Sequence, residues 1–453
     1  MSKNSYALKS NRPQRNLQGK LLIIVILLII IGIGTLYFVY CEGNPPQITI
    51  TPQPENISAE TEISIAINDK DSGLSSVSVQ ALQGDKSLEL SEKDFKTHHI
   101  NWTTKIKLAK SGLQDGPFEL AVTARDKSWK NWGAGNTAKQ KISYTLDTTP
   151  PIISVLSSPH NLKKGGSNCI TYNLSEDCER TGISLGKYFF PAYKQDTGKY
   201  LCFFAFPYSL SVKNHQPEVI AEDLAGNISR SGFYHHINNH SFPRDRINIS
   251  ESFLQSKMPQ FKKNFPQLSK PIEIFLHVNR ELRQKNRKSL YKIGRQTASV
   301  PLWEGSFIRQ PNAARQASFG DKRSYYYQGQ KVDNQTHLGV DLASIAQAEV
   351  PAANSGRVAY NGFMGIYGQV VIIDHGLGLQ SLYAHLSQIN VREGEAVQKG
   401  QIIGNTGATG LAGGDHLHFA ILVSGLPVNP VEWWDKTWIK NNIREKIQLA
   451  ESK

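Results

Sequence analysis

Gly413-Gly414-Asp415-His416-Leu417-His418-Phe419-Ala420-Ile421-Leu422-Val423 reads as a glycine turn running into an apolar strand. His416 and His418 are two apart, so on a strand both side chains leave one face. The turn before them is expected to present the pair at a sheet edge. His337-Leu338-Gly339-Val340-Asp341 sets a His and an Asp four apart, again one face of a strand. Tyr383-Ala384-His385 adds a third histidine position. Val350 to Gly356, Gly368 to Asp374, Leu379 to His385 and His416 to Val423 read as strands. Glycines such as Gly362, Gly365, Gly376, Gly404, Gly407 and Gly410 lie between or beside them. Residues 301–436 are therefore expected to form a compact antiparallel β-sheet domain.

These side chains suit zinc, which takes imidazole nitrogen and carboxylate oxygen in tetrahedral geometry. A catalytic zinc site uses three protein ligands and leaves a fourth position to water. Two His and one Asp leave the metal with a net charge of about +1, so it stays a good Lewis acid. A lone histidine near a strand end is more often a surface or core residue than a ligand. The whole set in order, in one glycine-rich β region, is far more specific than any member.

The motifs His337-x-x-x-Asp341, Tyr383-Ala384-His385-Leu386 and His416-x-His418 resemble the lysostaphin and LytM-like metallopeptidases of family M23. Ser318-Phe319-Gly320, Gly356-x-Val358 and Gly404-x-Thr406-Gly407-x-Thr409-Gly410 look like the same family. The resemblance runs from about Trp303 to Trp434. It implies that His337, Asp341 and His418 bind Zn2+ and that His385 and His416 are the unliganded catalytic histidines. No HExxH motif offers a helix-borne Glu, so a histidine must serve as the base. His416 is assigned to the zinc water and His385 to the oxyanion, with the reverse division left open. Some relatives lack the ligands and act as activators of cell-wall amidases. This sequence keeps all five residues.

Upstream, Ile63, Ile65 and Ile67 alternate with small or polar residues, as do Val77 and Val79, Ile106 and Leu108, and Leu120 and Val122. Alternation of period two means strands with one buried face. Asn44-Pro45-Pro46-Gln47-Ile48 is echoed by Thr149-Pro150-Pro151-Ile152-Ile153. Val122-Thr123-Ala124-Arg125-Asp126 is echoed by Val219-Ile220-Ala221-Glu222-Asp223, followed by Asn131 and Asn227 respectively. Residues 45–148 and 149–238 thus read as two degenerate copies of one sandwich, resembling bacterial immunoglobulin-like domains. Residues 240–300 read as a basic α/β linker: a short helix from Ser250, a strand over Pro271 to Leu276, and a basic helix over Arg280 to Gln296. This linker is a candidate cover for the groove in a latent form. Residues 437–453 read as a C-terminal basic helix. Tyr325-Tyr326-Tyr327 is a candidate lining for a substrate groove, with core or sheet surface the preferred reading, and Trp433-Trp434 is expected to close the core after the last strand.

Residues 1–20 carry Lys3, Lys9, Arg12, Arg15 and Lys20 and no acid. Residues 21–40 follow as an uncharged run, long enough at ~1.5 Å per residue to span ~30 Å of bilayer core. The basic flank keeps a 1–20 tail in the cytoplasm and sends the rest outward. A cleaved signal peptide is the rival; no small-residue site follows the run. Of the four cysteines, Cys169, Cys178 and Cys202 cluster and are expected to form one structural bridge in an exported compartment. The net charge of +13 over 453 residues favours anionic partners.

The expected architecture is mostly β: an N-terminal transmembrane helix, two immunoglobulin-like β-sandwiches, a short α/β linker and a C-terminal antiparallel β-sheet peptidase domain. The implied function is that of a membrane-anchored zinc metalloendopeptidase, cutting peptide crosslinks of peptidoglycan with a zinc-bound water. The alternative is a non-catalytic cell-wall scaffold or amidase-activating regulator. Expected partners are peptidoglycan, the inner membrane through the helix, and other cell-wall proteins, with no nucleic acid. The expected location is the inner (cytoplasmic) membrane, single-pass, with the bulk of the chain in the periplasm or cell-wall space.

Overall fold

The computed structural model describes residues 17–452, which divide into two compact units at Thr149/Pro150. Lys3, Lys9, Arg12 and Arg15 of the expected cytoplasmic tail lie outside the described residues, whereas Lys20 lies in the first helix. That helix, Leu17–Tyr40, is long and apolar enough to cross a membrane over Gly19–Phe38, and none of that span is buried against protein.

The rest of the first unit is two sheets around one core. A three-stranded sheet has Ile63–Asn68 between Gln47–Thr51 and Asn101–Ile106. A five-stranded sheet has Gly116–Asp126 between Leu74–Gln83 and Thr137–Leu146. The alternating residues face inward as the period-two pattern requires: Ile63, Ile65, Val79 and Leu120 are fully buried in one shared cluster.

In the second unit, two four-stranded sheets over residues 153–231 come first. The expectation drew 149–238 as a domain of its own. Instead its core is continuous with that of the C-terminal sheet: Ile170, Leu201 and Phe203 share a cluster with Val340, Tyr383 and Trp433. The C-terminal helical stretch Lys436–Glu451 is the seam. Thr171 Oγ1 donates to Lys446 O (2.8 Å) and Lys199 Nζ to Leu449 O (2.9 Å). Trp433 does close the core, and its Nε1 also reaches Ser167 Oγ at 3.2 Å. The expected cysteine bridge is absent: all four cysteines are free thiols. Cys169 lies opposite Phe203, and Cys202 opposite Ile170. Cys169 and Cys202 therefore point to opposite faces of their sheet.

Residues 240–300 are no linker. Arg244–Asn248 is a strand paired in parallel with Lys322–Tyr327. Glu251–Lys257 is a helix capped by Ser250, whose Oγ accepts from Phe253 N. Pro271–His277, expected as a strand, is a helix with Pro at its first position. It runs through the wide turn Val278–Leu282 into helix Arg283–Ile293. Short apolar runs rich in Ile read equally as strand or helix. Here the deciding feature is packing, because Ile274, Phe275, Val278 and Leu282 recur at helical spacing on one core-facing stripe. That stripe covers the back of the C-terminal sheet at Ile372, Leu382, Ala384 and Leu422.

The C-terminal sheet is antiparallel throughout. Leu417–Val423 pairs with Val340–Ala343 on one side and Leu379–Leu386 on the other. The strand bearing His418 is therefore central, not an edge. The expected strand Val350 to Gly356 is two pieces: Glu349–Pro351 ends one, and Gly356–Phe363 begins another.

Candidate active site

Three neighbouring strands bring the site together. Asp341 lies opposite His418 in the register, and His418 lies opposite Ala384, one residue before His385. His337 is not on a strand; it sits in the turn between Gln330–Thr336 and Val340–Ala343. That turn passes close beneath His418. A Cβ at Gly339 would stand 2.6 Å from His418 Cε1 and 2.7 Å from Phe419 O, so only glycine lets the backbone approach.

His337 Nε2, Asp341 Oδ1 and His418 Nδ1 converge at 2.9–3.0 Å from one another. His337 Nδ1 is 2.9 Å from Ser318 O. A carbonyl only accepts, so that nitrogen carries a proton and Nε2 is the atom turned toward Asp341 Oδ1 and His418. Two or three lone pairs aimed at one point require a proton or a cation between them. The residues thus fit a small cation with nitrogen and oxygen ligands, and zinc is the ion this donor set suits. Asp341 Oδ2 accepts from Arg323 Nη2 at 2.9 Å. Burial alone would raise the Asp341 carboxyl, but His337, His416 and His418 outweigh it and hold it well below the ordinary carboxylate value. Burial pulls the His418 imidazole down to about 4 against the opposing pull of Asp341.

His385 and His416 flank this triad with ring centroids 4.9 Å apart. A β-bulge interrupts the pairing between Tyr383 and Leu386, and His385 sits in it at φ +65°. Bulges re-aim side chains, and this one swings His385 toward the triad. Such a conformation is costly for a non-glycine residue and is concentrated at functional sites. Each ring is held the same way: His385 Nδ1 donates to Thr409 O (2.8 Å) and His416 Nδ1 to Gly414 O (2.9 Å). Both therefore present Nε2 to the site; that of His416 is 3.6 Å from Asp341 Oδ1. Burial, followed by the neighbouring His416 and His418, lowers the His385 pKa well below its usual value. Burial opposes protonation of His416 too, but the Asp341 carboxylate outweighs it and the net shift is upward.

All five residues expected from the motifs line one cavity of about 450 Å3. Residues that the motifs did not single out complete it. Ile247, Ile249, Phe253 and Phe275 make an apolar wall from the 240–300 segment, and Tyr325 of the tyrosine run joins them. Arg323 and Arg283 bring two guanidinium groups to the same cavity. Nothing in the local sequence of Arg283 marks it; it becomes visible only when its helix packs beside Ile366 and Tyr367.

Residues 335–430 match the family model described as Peptidase family M23. The C-terminal region carries a Peptidase family M23 domain. The DD-carboxypeptidase/endopeptidase Mpg of Neisseria meningitidis serogroup B is 42% identical over 95 residues, 21% of this chain and 22% of that protein. The peptidoglycan DD-endopeptidase ShyB of Vibrio cholerae is 35% identical over 133 residues, 28% of this chain and 30% of that protein. The chain thus spans between a fifth and a third of the length of these relatives. Among solved structures, the catalytic domain of lysostaphin from Staphylococcus simulans is 28% identical, covering 29% of this chain and 98% of that one, with a TM-score of 0.25. The M23 match begins at residue 335 and so contains His337, Asp341, His385, His416 and His418, but neither Arg283 nor Arg323.

Proposed function

We propose that this chain is a zinc-dependent endopeptidase that hydrolyses peptide crosslinks of peptidoglycan. The observation that carries the reading is the convergence of His337 Nε2, Asp341 Oδ1 and His418 Nδ1, with two further Nε2 atoms beside them. A zinc ion held by those three residues would supply Lewis acidity, which polarises a carbonyl and acidifies water. His385 and His416 supply the proton transfers. With Nδ1–H donated to a backbone carbonyl, each neutral ring accepts a proton at Nε2, and each protonated ring gives it back from the same atom. One ring takes the proton from water, and the cationic ring then stabilises developing negative charge or protonates the leaving amine. Arg323 holds Asp341 Oδ2 and so leaves Oδ1 turned toward the two histidines.

The cavity favours a particular crosslink. Among the described residues, Arg283 has no carboxylate within ion-pair distance; its Nε and Nη2 donate to Asn279. A bond from D-Ala to a diamino dicarboxylic acid, acylated on the amine beside its second carboxyl, carries a free carboxylate next to the scissile amide, and a glycine bridge carries none. Arg283 fits the former. Helix Leu17–Tyr40 serves in this reading as a membrane anchor. The immunoglobulin-like copy at 45–148 serves as the spacer that holds the M23 domain in the periplasmic or cell-wall space, while residues 149–238 share the core of the C-terminal sheet.

The test is bound zinc and release of muropeptides from purified peptidoglycan, comparing the full chain in detergent with its His418→Ala variant. One equivalent of zinc and new peptide ends from the wild type alone are expected. A folded wild type that binds neither zinc nor cuts would move the assignment to a scaffold or amidase regulator.

A further inference from the structure

The two sandwich copies share one turn, and the first copy has an insertion in it. In the second copy Asp223 closes the turn. Its backbone N–H donates to Asn227 O, its Oδ1 accepts from Ala225 N and Asn227 N, and its Oδ2 accepts from Asn227 Nδ2. In the first copy Asp126 does the same with Ser128 and Asn136. Asn136, not Asn131, is therefore the partner of Asn227. Three residues, 224–226, separate the pair in the second copy; nine, 127–135, separate it in the first. The Asp–Asn clasp needs only the shorter loop, so the added residues must do something else.

What the insertion adds is Trp129-Lys130-Asn131-Trp132-Gly133-Ala134. Trp132 is fully exposed and Trp129 more than half exposed. Asn131 and Trp132 are both left-handed, at φ +53° and +60°, which a bulky residue adopts only at a cost. The turn thus holds a large indole out in water, where it loses the burial that normally stabilises such a group. The loop is also tied to the end of the N-terminal helix. Cys41 N still donates to Tyr37 O, and at the next residue Glu42 O accepts from Ser128 Oγ (2.8 Å) and Asn136 Nδ2 (3.1 Å). Lys130 Nζ reaches Gly43 O at 3.4 Å. The tryptophans stand where the helix stops, and tryptophan is the side chain that favours the boundary between headgroups and hydrocarbon.

We propose that the Lys127–Gly135 loop is a second membrane contact, with Trp132 entering the headgroup layer of the leaflet from which helix Leu17–Tyr40 emerges and Trp129 beside it. The two lysines of the loop, whose Nζ atoms also donate to Thr97 O and Gly43 O, add positive charge beside the lipid phosphates. This rests on the reading of that helix as a membrane span. A rigid second contact fixes the tilt of the first sandwich on the bilayer, which a single helix followed by a short link does not.

The helix contains no tryptophan, so any tryptophan that lipid quenches lies elsewhere in the chain. The full chain is placed in bilayer discs of phosphatidylethanolamine and phosphatidylglycerol, with plain or brominated acyl chains, and tryptophan emission is read. Brominated discs should quench the wild type by no more than the share that two of its seven tryptophans supply. Trp132→Ser should remove most of that quenching, and Trp102→Phe, in the sandwich, should leave it unchanged. A chain that co-migrates with the discs yet shows no quenching overturns the loop contact and leaves the anchor standing. So does quenching that survives Trp129→Ser/Trp132→Ser. A chain that fails to enter the discs overturns both.

Discussion

Arg323 Nη2 stands 2.9 Å from Asp341 Oδ2, the carboxylate oxygen that faces away from His337 and His418. The guanidinium occupies one side of the carboxylate and leaves Oδ1 for the histidine side. Partners behind a metal ligand are worth about 10- to 100-fold in metal affinity. Arg323→Ala should weaken zinc binding by that order in competition with a chelator, with the thermal melt of the second unit nearly unchanged. Arg323→Lys should recover charge but not the planar geometry, and land between the two. Equal zinc affinity in all three chains would remove Arg323 from the site.

Gly339 makes a sterically independent prediction. A Cβ there would overlap the His418 ring at 2.6 Å and the Phe419 carbonyl at 2.7 Å. The ring is the movable partner and should swing off Asp341. Gly339→Ala should therefore lose zinc and hydrolysis together, at a stability cost of about 1–3 kcal/mol typical of an overpacked site. A variant that binds zinc like the wild type would show that His418 has room to spare.

Much of this site was legible because strands and glycine turns leave plain spacings. His416 and His418 fall on one face for the reason that any i, i+2 pair does, and His337 and Asp341 are brought together even though a turn, not a strand, carries His337. Arg323 and Ser318 were not legible as site residues, since one acts through a carboxylate oxygen and the other through its backbone carbonyl. The helix Pro271–His277 reads as a strand in sequence because the six-residue run Pro271 to Leu276 is too short to separate the two periods. The joined core of the second unit was invisible for a different reason. Which apolar face meets which is a tertiary property, and Ile170, Leu201 and Phe203 would have suited a free-standing sandwich equally well.

Arg283 should sort substrates. It lines the cavity that holds the five motif residues, and it donates to the neutral Asn279 with no carboxylate in ion-pair reach among the described residues. Arg283→Gln should raise KM about tenfold or more for a crosslinked muropeptide whose diamino acid keeps its carboxylate. The same substitution should leave KM nearly unchanged for the amidated muropeptide, because a charge-assisted hydrogen bond is lost only in the first case. Steady-state rates on the two purified muropeptides measure this directly. A fall in kcat with no difference between them would make Arg283 a structural residue.

Glu432 ties the stability of the second unit to pH. Burial raises its carboxyl to about 7, against the opposing pull of the Ser167 N–H and Lys163. In the unfolded chain the same group titrates near 4.5. Between those values the folded state holds a proton that the unfolded state has released. The contribution is thus fully present below about pH 4.5 and is lost as pH rises through about 7. At about 1.4 kcal/mol per pH unit, the loss approaches ~3 kcal/mol for this buried side chain. Urea unfolding of the second unit at pH 5 and pH 8 should show wild type losing more stability than Glu432→Gln over that interval, the variant having no proton to release. Parallel losses in the two chains would mean that the carboxylate near Ser167 is solvated or paired well enough to titrate as it does in water.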